Sequence, residues 1–406
     1  MKHIVVTAYA ISPYKGSEDG TAWNIVNQMS RFYDITVVTR KNNAQDIKRY
    51  YAENKKNDQL HFEYYDLPYL LRFWKKKSRG ALVYFYMWQI GVAMFIKFSI
   101  KKIDLVHNLN FHNDWTPTFL WLINKPLIWG PIGHHPKIKS EFLKHYPIWE
   151  TIKEQLKWFT KNIFWNLDPF HFIARRRASL ILTINSQSPI CANINPLKNK
   201  TFTAVGCEIN NENFIKKEKG AFTVLSVGRL VSIKGFDLTI EAFTQFYKTL
   251  PNENKNIKLI IIGKGPLKNR LAQMIQEKKM DHVIQIIDSV PFSEMKHQYA
   301  QSDVFLFPSH EGAGMVIPEA LSYGLPIICL DNEGPGEMTN DRIAYRIPNH
   351  EYSECVAQIK VSLEELYFNT SKRNSIGNQA IQFAKENFEW NSKGNQLHEM
   401  IENYAR

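Results

Sequence analysis

The chain has 406 residues, 44% hydrophobic and 22% charged, a balance that excludes a disordered polymer. That length exceeds one ordinary core and points to two domains of about 200 residues each. The formal net charge of +12 favours anionic partners, either nucleic acid, anionic lipid or phosphorylated small molecules.

In chain order, Lys2 and His3 lead without a secretory signal into an apolar run at residues 4–8, read as the first strand. A turn at 16–20 and a helix over 21–32 come next, then strands at 35–39 and 61–65. Residues 69–79 interleave Tyr69, Phe73 and Trp74 with Arg72, Lys75, Lys76 and Lys77. This segment, with Trp158 to Lys161 and Arg175 to Arg177, reads either as an anionic membrane contact or as solvated loops with buried stems. Residues 80–96 carry no charge. They are shorter than the roughly 20 residues that span a bilayer, and a buried helix is expected. Strands at 105–107, 127–129 and 180–183 complete the first half.

A polar segment at 210–220 reads as a linker. Beyond it lie strands at 222–227, 258–262, 283–287, 304–307 and 327–330, with helices over 238–250, 266–278, 292–300 and 315–323. Residues 390–406 form an amphipathic helix through Leu397, Met400, Ile401 and Tyr404. Strands alternating with helices in both halves define an α/β chain of two doubly wound, Rossmann-like domains. The expected division is 1–210 and 217–386. The four cysteines are scattered, so neither a disulfide framework nor a structural zinc is expected, and a reducing compartment is the simpler reading. Nucleic acid is not an expected partner, since no binding motif for it is present.

The stretch from Glu311 to Glu319, Glu-Gly-Ala-Gly-Met-Val-Ile-Pro-Glu, comes after the apolar run 303–307. A buried strand ending in a glycine-rich turn that starts a helix is where α/β folds hold ligands. The pair reads either as ligand carboxylates or as two solvated glutamates. Val227-Gly-Arg-Leu-Val-Ser-Ile-Lys-Gly235 similarly places Arg229 and Lys234 in a loop after a strand. A planar fork and a compact cation there suit a diphosphate.

Glu-Gly-x-Gly-x-x-x-x-Glu resembles the paired-glutamate motif of retaining nucleotide-sugar glycosyltransferases of the GT-B fold, in the family numbered four. The Gly-Arg-Leu…Lys-Gly element is similar to that family's diphosphate grip. The resemblance implies two domains facing a central cleft, with the C-terminal helix, 387–406, packing back on the first. It implies that Glu319 holds the ribose hydroxyls and that Glu311 contacts the donor sugar. The amides of Gly314, Met315 and Val316 would meet the distal phosphate. Ala313 departs from the family, which carries a large aromatic there, and leaves the shape of the sugar pocket open. Gly263-Lys-Gly265 resembles the family's glycine pair at the nucleotide base, although helix initiation at Pro266 explains it equally well. The segment 16–23 resembles its N-terminal glycine loop, which brings Gly16 toward the donor phosphate. His107 closes a predicted strand and resembles a His-x-x-Thr branch of the family. It is either a catalytic contact to sugar or acceptor, or a satisfied structural histidine. The same branch continues Gly-Pro-x-Gly-Gly, so His134 and His135 replace glycine, with roles left open.

The resemblance as a whole implies a metal-independent, retaining hexosyltransferase without a cofactor. It would move sugar from a nucleotide-diphosphate donor to a glycan or lipid-linked acceptor in cell-surface polysaccharide synthesis, in the cytoplasm or peripherally at the inner membrane face. A nucleotide-sugar epimerase of the same fold and a catalytically idle, basic membrane-surface protein are the alternatives. No GxGxxG lies after a first strand and no Walker loop is present, which disfavours nicotinamide and P-loop chemistry.

Overall fold

The structure is a computed structural model describing residues 1–75, 80–109, 113–209, 220–251 and 255–404. The expected linker at 210–220 lies almost wholly outside these residues, as do Lys76, Lys77 and Asn110. The chain divides into two compact units. One comprises 1–134, 159–204 and 390–406, the other 135–158 and 205–389.

In the first unit the strands are β1 (His3–Ala8), β2 (Asp34–Thr39), β3 (Leu60–Tyr64), β4 (Leu105–Leu109), β5 (Leu127–Ile132), β6 (Leu180–Thr183) and β7 (Asn199–Thr201). They pair in parallel in the order β3-β2-β1-β4-β5-β6-β7. Central strands such as Ile-Val-Val-Thr-Ala in β1 are apolar throughout because helices cover both faces of a parallel sheet. Helices α1 (Ser17–Met29), α2 (Ala44–Glu53) and α3 (Ala81–Ser99) belong to this unit. Next come α4 (Ser140–Leu143), in the second unit, and α5 (Ile148–Leu167), within which the units part; α6 (Pro169–Arg177) and α7 (Gln187–Cys191) return to the first.

The second unit holds β8 (Phe222–Val227), β9 (Ile257–Ile262), β10 (Ile284–Ile287), β11 (Val304–Phe307), β12 (Ile327–Asp331) and β13 (Ala344–Pro348). These are also parallel, in the order β10-β9-β8-β11-β12-β13. Its helices are α8 (Phe236–Thr249), α9 (Lys268–Glu277), α10 (Phe292–Ala300), α11 (Val316–Ser322), α12 (Tyr352–Phe368) and α13 (Thr370–Asn387). The last helix, α14 (Trp390–Ile401), returns to the first unit. Its Leu397 and Ile401 share a core with Ala22, Val26 and Met29 of α1. Arg31 Nη2 donates to Asn395 Oδ1 at 3.2 Å, and the Tyr33 hydroxyl meets His398 Nδ1 at 2.8 Å.

Three departures from the sequence reading matter. Two edge strands, β7 and β13, were not anticipated, because Asn-Lys-Thr and Ala-Tyr-Arg-Ile-Pro lack the apolar signature of the central strands. β4 continues to Leu109 and β5 to Ile132, past their expected ends. The expected buried helix, α3, is only half covered: Tyr84, Trp88, Val92 and Ile96 face the core, whereas Leu82, Val83 and Phe98 are exposed. By length and composition it is apolar enough to cross a membrane, and its buried side ties it to the first unit.

Candidate active site

Open α/β sheets collect ligands beyond the carboxyl ends of their strands, where strand order reverses. In the second unit that point lies between β8 and β11. β8 ends at Val227 and runs into the loop 228–235; β11 ends at Phe307 and runs into the loop 308–315. The two loops lie against each other. Gly235 has φ +66°, and a Cβ there would stand 2.1 Å from the Pro308 carbonyl oxygen, so glycine alone permits this approach. The His310 amide donates to the Ile233 carbonyl at 2.8 Å, and Ser309 Oγ donates to the same oxygen at 3.2 Å.

Lys234 and Glu311 meet where these loops join. The Nζ–Oε2 distance is 2.6 Å, with side chains only 12% and 14% exposed. The ammonium also lies 4.8 Å from the centre of the Phe307 ring. Seventy-seven positions apart in sequence, the two residues form one ion pair.

The rest of the glutamate loop is fixed by its neighbours. The Glu311 amide donates to Ser309 Oγ at 3.3 Å, and Asn332 Nδ2 donates to the Ser309 carbonyl at 2.8 Å. The Gly312 amide donates to Nδ1 of His135 at 3.0 Å. An imidazole accepting at Nδ1 carries its proton on Nε2, so this contact sets the tautomer. The sequence marks His135 only as a missing glycine. No spacing pairs residue 135 with residue 312, so the contact was not readable. The Gly314 amide points to Met338 Sδ at 3.2 Å, a weak acceptor. Ala313 is 5% exposed, so its methyl is part of the interior.

Glu319 lies in the first turn of α11. Its Oε2 accepts from the Tyr299 hydroxyl at 2.7 Å. Burial pushes the Glu319 carboxyl above the usual range, and the Tyr299 hydrogen bond works against that shift. Burial, and then the charge of Glu319, hold the Tyr299 hydroxyl far above its ordinary range, so it stays a donor. Tyr299 stacks on Tyr323 with ring centroids 5.6 Å apart. Arg229 is exposed and makes no ion pair among the described residues. The Gly263-Lys-Gly265 turn has a structural cause: a Cβ at 263 would stand 1.8 Å from the Gly228 carbonyl oxygen. That glycine lets the loops after β8 and β9 touch.

In the first unit the corresponding point lies between β1 and β4. Because β4 runs two residues beyond its expected end, His107 sits inside the sheet, in register with Val6 and Ile128, with no exposed surface. Its Nε2 meets the Gly130 carbonyl at 2.7 Å, and Nδ1 is buried with no hydrogen-bond partner. Burial lowers its pKa to about 4, so the ring is neutral at pH 7. This enclosed position differs from the solvent-facing strand end expected for it. His134 is also buried, its Nδ1 2.7 Å from Asp114 Oδ2. Gly16 caps α1 at φ −79°, and a Cβ there would meet nothing within 4 Å. The fold therefore does not require glycine at 16.

Comparison with known proteins places this architecture in a class. HepE of Anabaena, solved in complex with UDP, superposes with a TM-score of 0.64 at 17% identity, covering 99% of this chain and 100% of that one. WaaG, a glycosyltransferase involved in lipopolysaccharide biosynthesis, gives 0.62 at 14% identity over 98% and 99%. At such identities the likeness shows the fold, which is GT-B. Residues 208–383 match the family described as glycosyl transferases group 1. An uncharacterized glycosyltransferase of Methanocaldococcus jannaschii is 30% identical over 174 residues, 39% of this chain and 41% of its own length. A putative colanic acid biosynthesis glycosyltransferase of Escherichia coli is 26% identical over 37% and 38%. Alpha-monoglucosyldiacylglycerol synthase of Acholeplasma laidlawii is 38% identical over 26% of each. The chain thus spans about two fifths or less of the length of these curated relatives.

Proposed function

We propose that the protein is a retaining glycosyltransferase that moves a hexosyl unit from a nucleotide-diphosphate sugar to a glycan or lipid-linked acceptor in cell-surface polysaccharide synthesis. The observation that carries this reading is the Lys234–Glu311 ion pair at the strand-order reversal of a group 1 domain. Breaking the anomeric carbon–phosphate bond builds negative charge on the departing diphosphate and positive charge on the sugar. Lys234 and exposed Arg229 are the cations assigned to stabilise the leaving group. Glu311, beside Lys234, is the carboxylate assigned to the donor sugar. Glu319, with one oxygen on Tyr299, offers the other to the ribose hydroxyls. The backbone at Gly314, Met315 and Val316 is assigned to the distal phosphate.

The leaving phosphate itself takes the acceptor proton in this reading, and no metal or cofactor is assigned a role. Gly16 is assigned to phosphate approach, because packing gives no reason for a glycine there. His107 is assigned as a positioning residue that holds the Gly130 carbonyl. The proposed location is cytoplasmic, peripheral to the membrane. The HepE complex with UDP and the E. coli relative's name support the donor and pathway assignments.

The test is binding and transfer with UDP-, GDP- and ADP-sugars. One nucleotide series should bind, and Glu319→Ala should weaken it. No binding by any series, unchanged affinity in Glu319→Ala, or an altered sugar still attached to nucleotide without acceptor would sink the assignment.

A further inference from the structure

The outer face of α5 is inverted relative to an ordinary surface helix. Ile148, Ile152, Leu156, Phe159, Ile163 and Leu167 recur every three or four residues and so share one face. All six are exposed, from 40% at Ile163 to 73% at Leu167, with Trp149 at the edge of the stripe. Glu154, Lys161 and Trp165 of the same helix are buried instead. A helix that turns a continuous apolar stripe to water while burying two of its charged side chains, Glu154 and Lys161, departs from the usual surface pattern, and apolar stripes of this length mark contact surfaces.

The charges around the stripe indicate what it contacts. Glu150 accepts from Lys153 at 2.8 Å and from Ser232 Oγ at 2.8 Å. Glu154 accepts from Trp158 Nε1 at 2.9 Å and pairs with Lys157 at 2.5 Å. Asp168, which caps α6, is held by the Phe170 and His171 amides and the Tyr86 hydroxyl. These three carboxylates are therefore engaged. Beyond Leu167 the apolar surface continues through exposed Phe170 and Phe172. There the Arg176 guanidinium lies 4.2 Å over the Phe172 ring. Arg176 and Arg177 are exposed and make no ion pair among the described residues. An apolar face with aromatic residues and unpaired cations at its rim suits a bilayer whose head groups are anionic. A second copy of a chain of net charge +12 is repelled, whereas such a bilayer attracts it.

We propose that the outward face of α5, with Phe170, Phe172, Arg176 and Arg177, seats the protein on an anionic phospholipid surface, the helix lying in the interface plane. The inference rests on the transferase reading only for its purpose, presentation of a lipid-linked acceptor.

The experiment is flotation of the full chain with phosphatidylcholine vesicles and with vesicles containing equal phosphatidylglycerol. The wild type should float with the anionic vesicles and release with salt. Leu156→Glu/Phe159→Glu should lower partitioning at least tenfold (on the order of the cost of placing two charges in an apolar face). Arg176→Glu/Arg177→Glu should reduce binding to the phosphatidylcholine level. Both variants alter exposed side chains and should keep the wild-type thermal midpoint and nucleotide-sugar affinity. The proposal is overturned if the wild type does not float, or if Leu156→Glu/Phe159→Glu floats as well as wild type. It is equally overturned if lipid-free wild type is a dimer that this variant makes monomeric. If the wild type floats but binds none of UDP-, GDP- or ADP-glucose, docking stands and the transferase reading falls.

Discussion

At the carboxyl ends of its central strands the second unit joins opposite charges, Lys234 and Glu311 at 2.6 Å. In the first unit, the corresponding strand β4 carries neutral polar groups: His107 on the Gly130 carbonyl, and Asn108 Nδ2 donating to Thr7 Oγ1 at 2.8 Å. The two sheets have the same central strand order, so topology does not explain the difference. Enclosure does. His107 and Asn108 have essentially no exposed surface, where an isolated charge is costly, whereas Lys234 and Glu311 retain an edge open to water. Sheets of one design thus offer an electrostatic site in one unit and a hydrogen-bonded scaffold in the other.

The largest expected effect tests the charged site. Lys234→Ala should lower kcat/KM for sugar transfer by about 10²–10³, the usual cost of losing a group that stabilises transition-state charge. Near wild-type turnover would move the electrostatic work elsewhere. Glu319→Ala comes next, with an expected loss of about 2 kcal/mol in nucleotide affinity by calorimetry, as for a hydrogen bond to a charged group. Tyr299→Phe should cost about 1 kcal/mol in the same titration.

The scaffold is tested by pH. His107 has a folded pKa of about 4 against an ordinary 6.5. Between those values the unfolded chain binds the extra proton, so stability falls as pH falls. From pH 6.5 to 5 this amounts to about 2 kcal/mol at 1.36 kcal/mol per pH unit. His107→Gln should flatten that part of the pH profile of thermal unfolding, and an unchanged slope would place a charged histidine inside the sheet. The smallest effect belongs to Gly16→Ala. Its Cβ meets nothing, so stability should stay within about 0.5 kcal/mol. A raised KM for donor at unchanged stability would tie this loop to phosphate, and an unchanged KM would remove it from the site.

How much of this was legible depended on whether the signal was local. The central strands and the helices after them announce themselves by apolar runs and turns. β8 and β11 were placed to the residue, as was α10. Arg229, Lys234 and Glu311 stood out because each lies in a loop that follows a strand, and Glu319 because it lies in the first turn of the helix after such a loop. The misses were of two kinds. Polar edge strands such as β7 carry no burial signature, and the extra residues of β4 look no different from a strand end, so His107 was assigned to a rim it does not reach. The contacts of His135 with Gly312 and of Tyr299 with Glu319 join separate segments, and no local pattern encodes them. The stripe on α5 has helical spacing, but its exposure contradicts what such spacing ordinarily means.

The 2.6 Å contact between Lys234 and Glu311 has a consequence for ligand choice on the proposed reading. The ammonium already has a counterion, so an incoming anion must exchange with a carboxylate rather than fill an empty field. A monoanion such as chloride or acetate gains little by that exchange. A diphosphate brings several charges at once, and its sugar hydroxyls give the displaced carboxylate a new set of donors. The pair would then act as a threshold that common cellular anions fail to cross, keeping the site ready while the donor is absent.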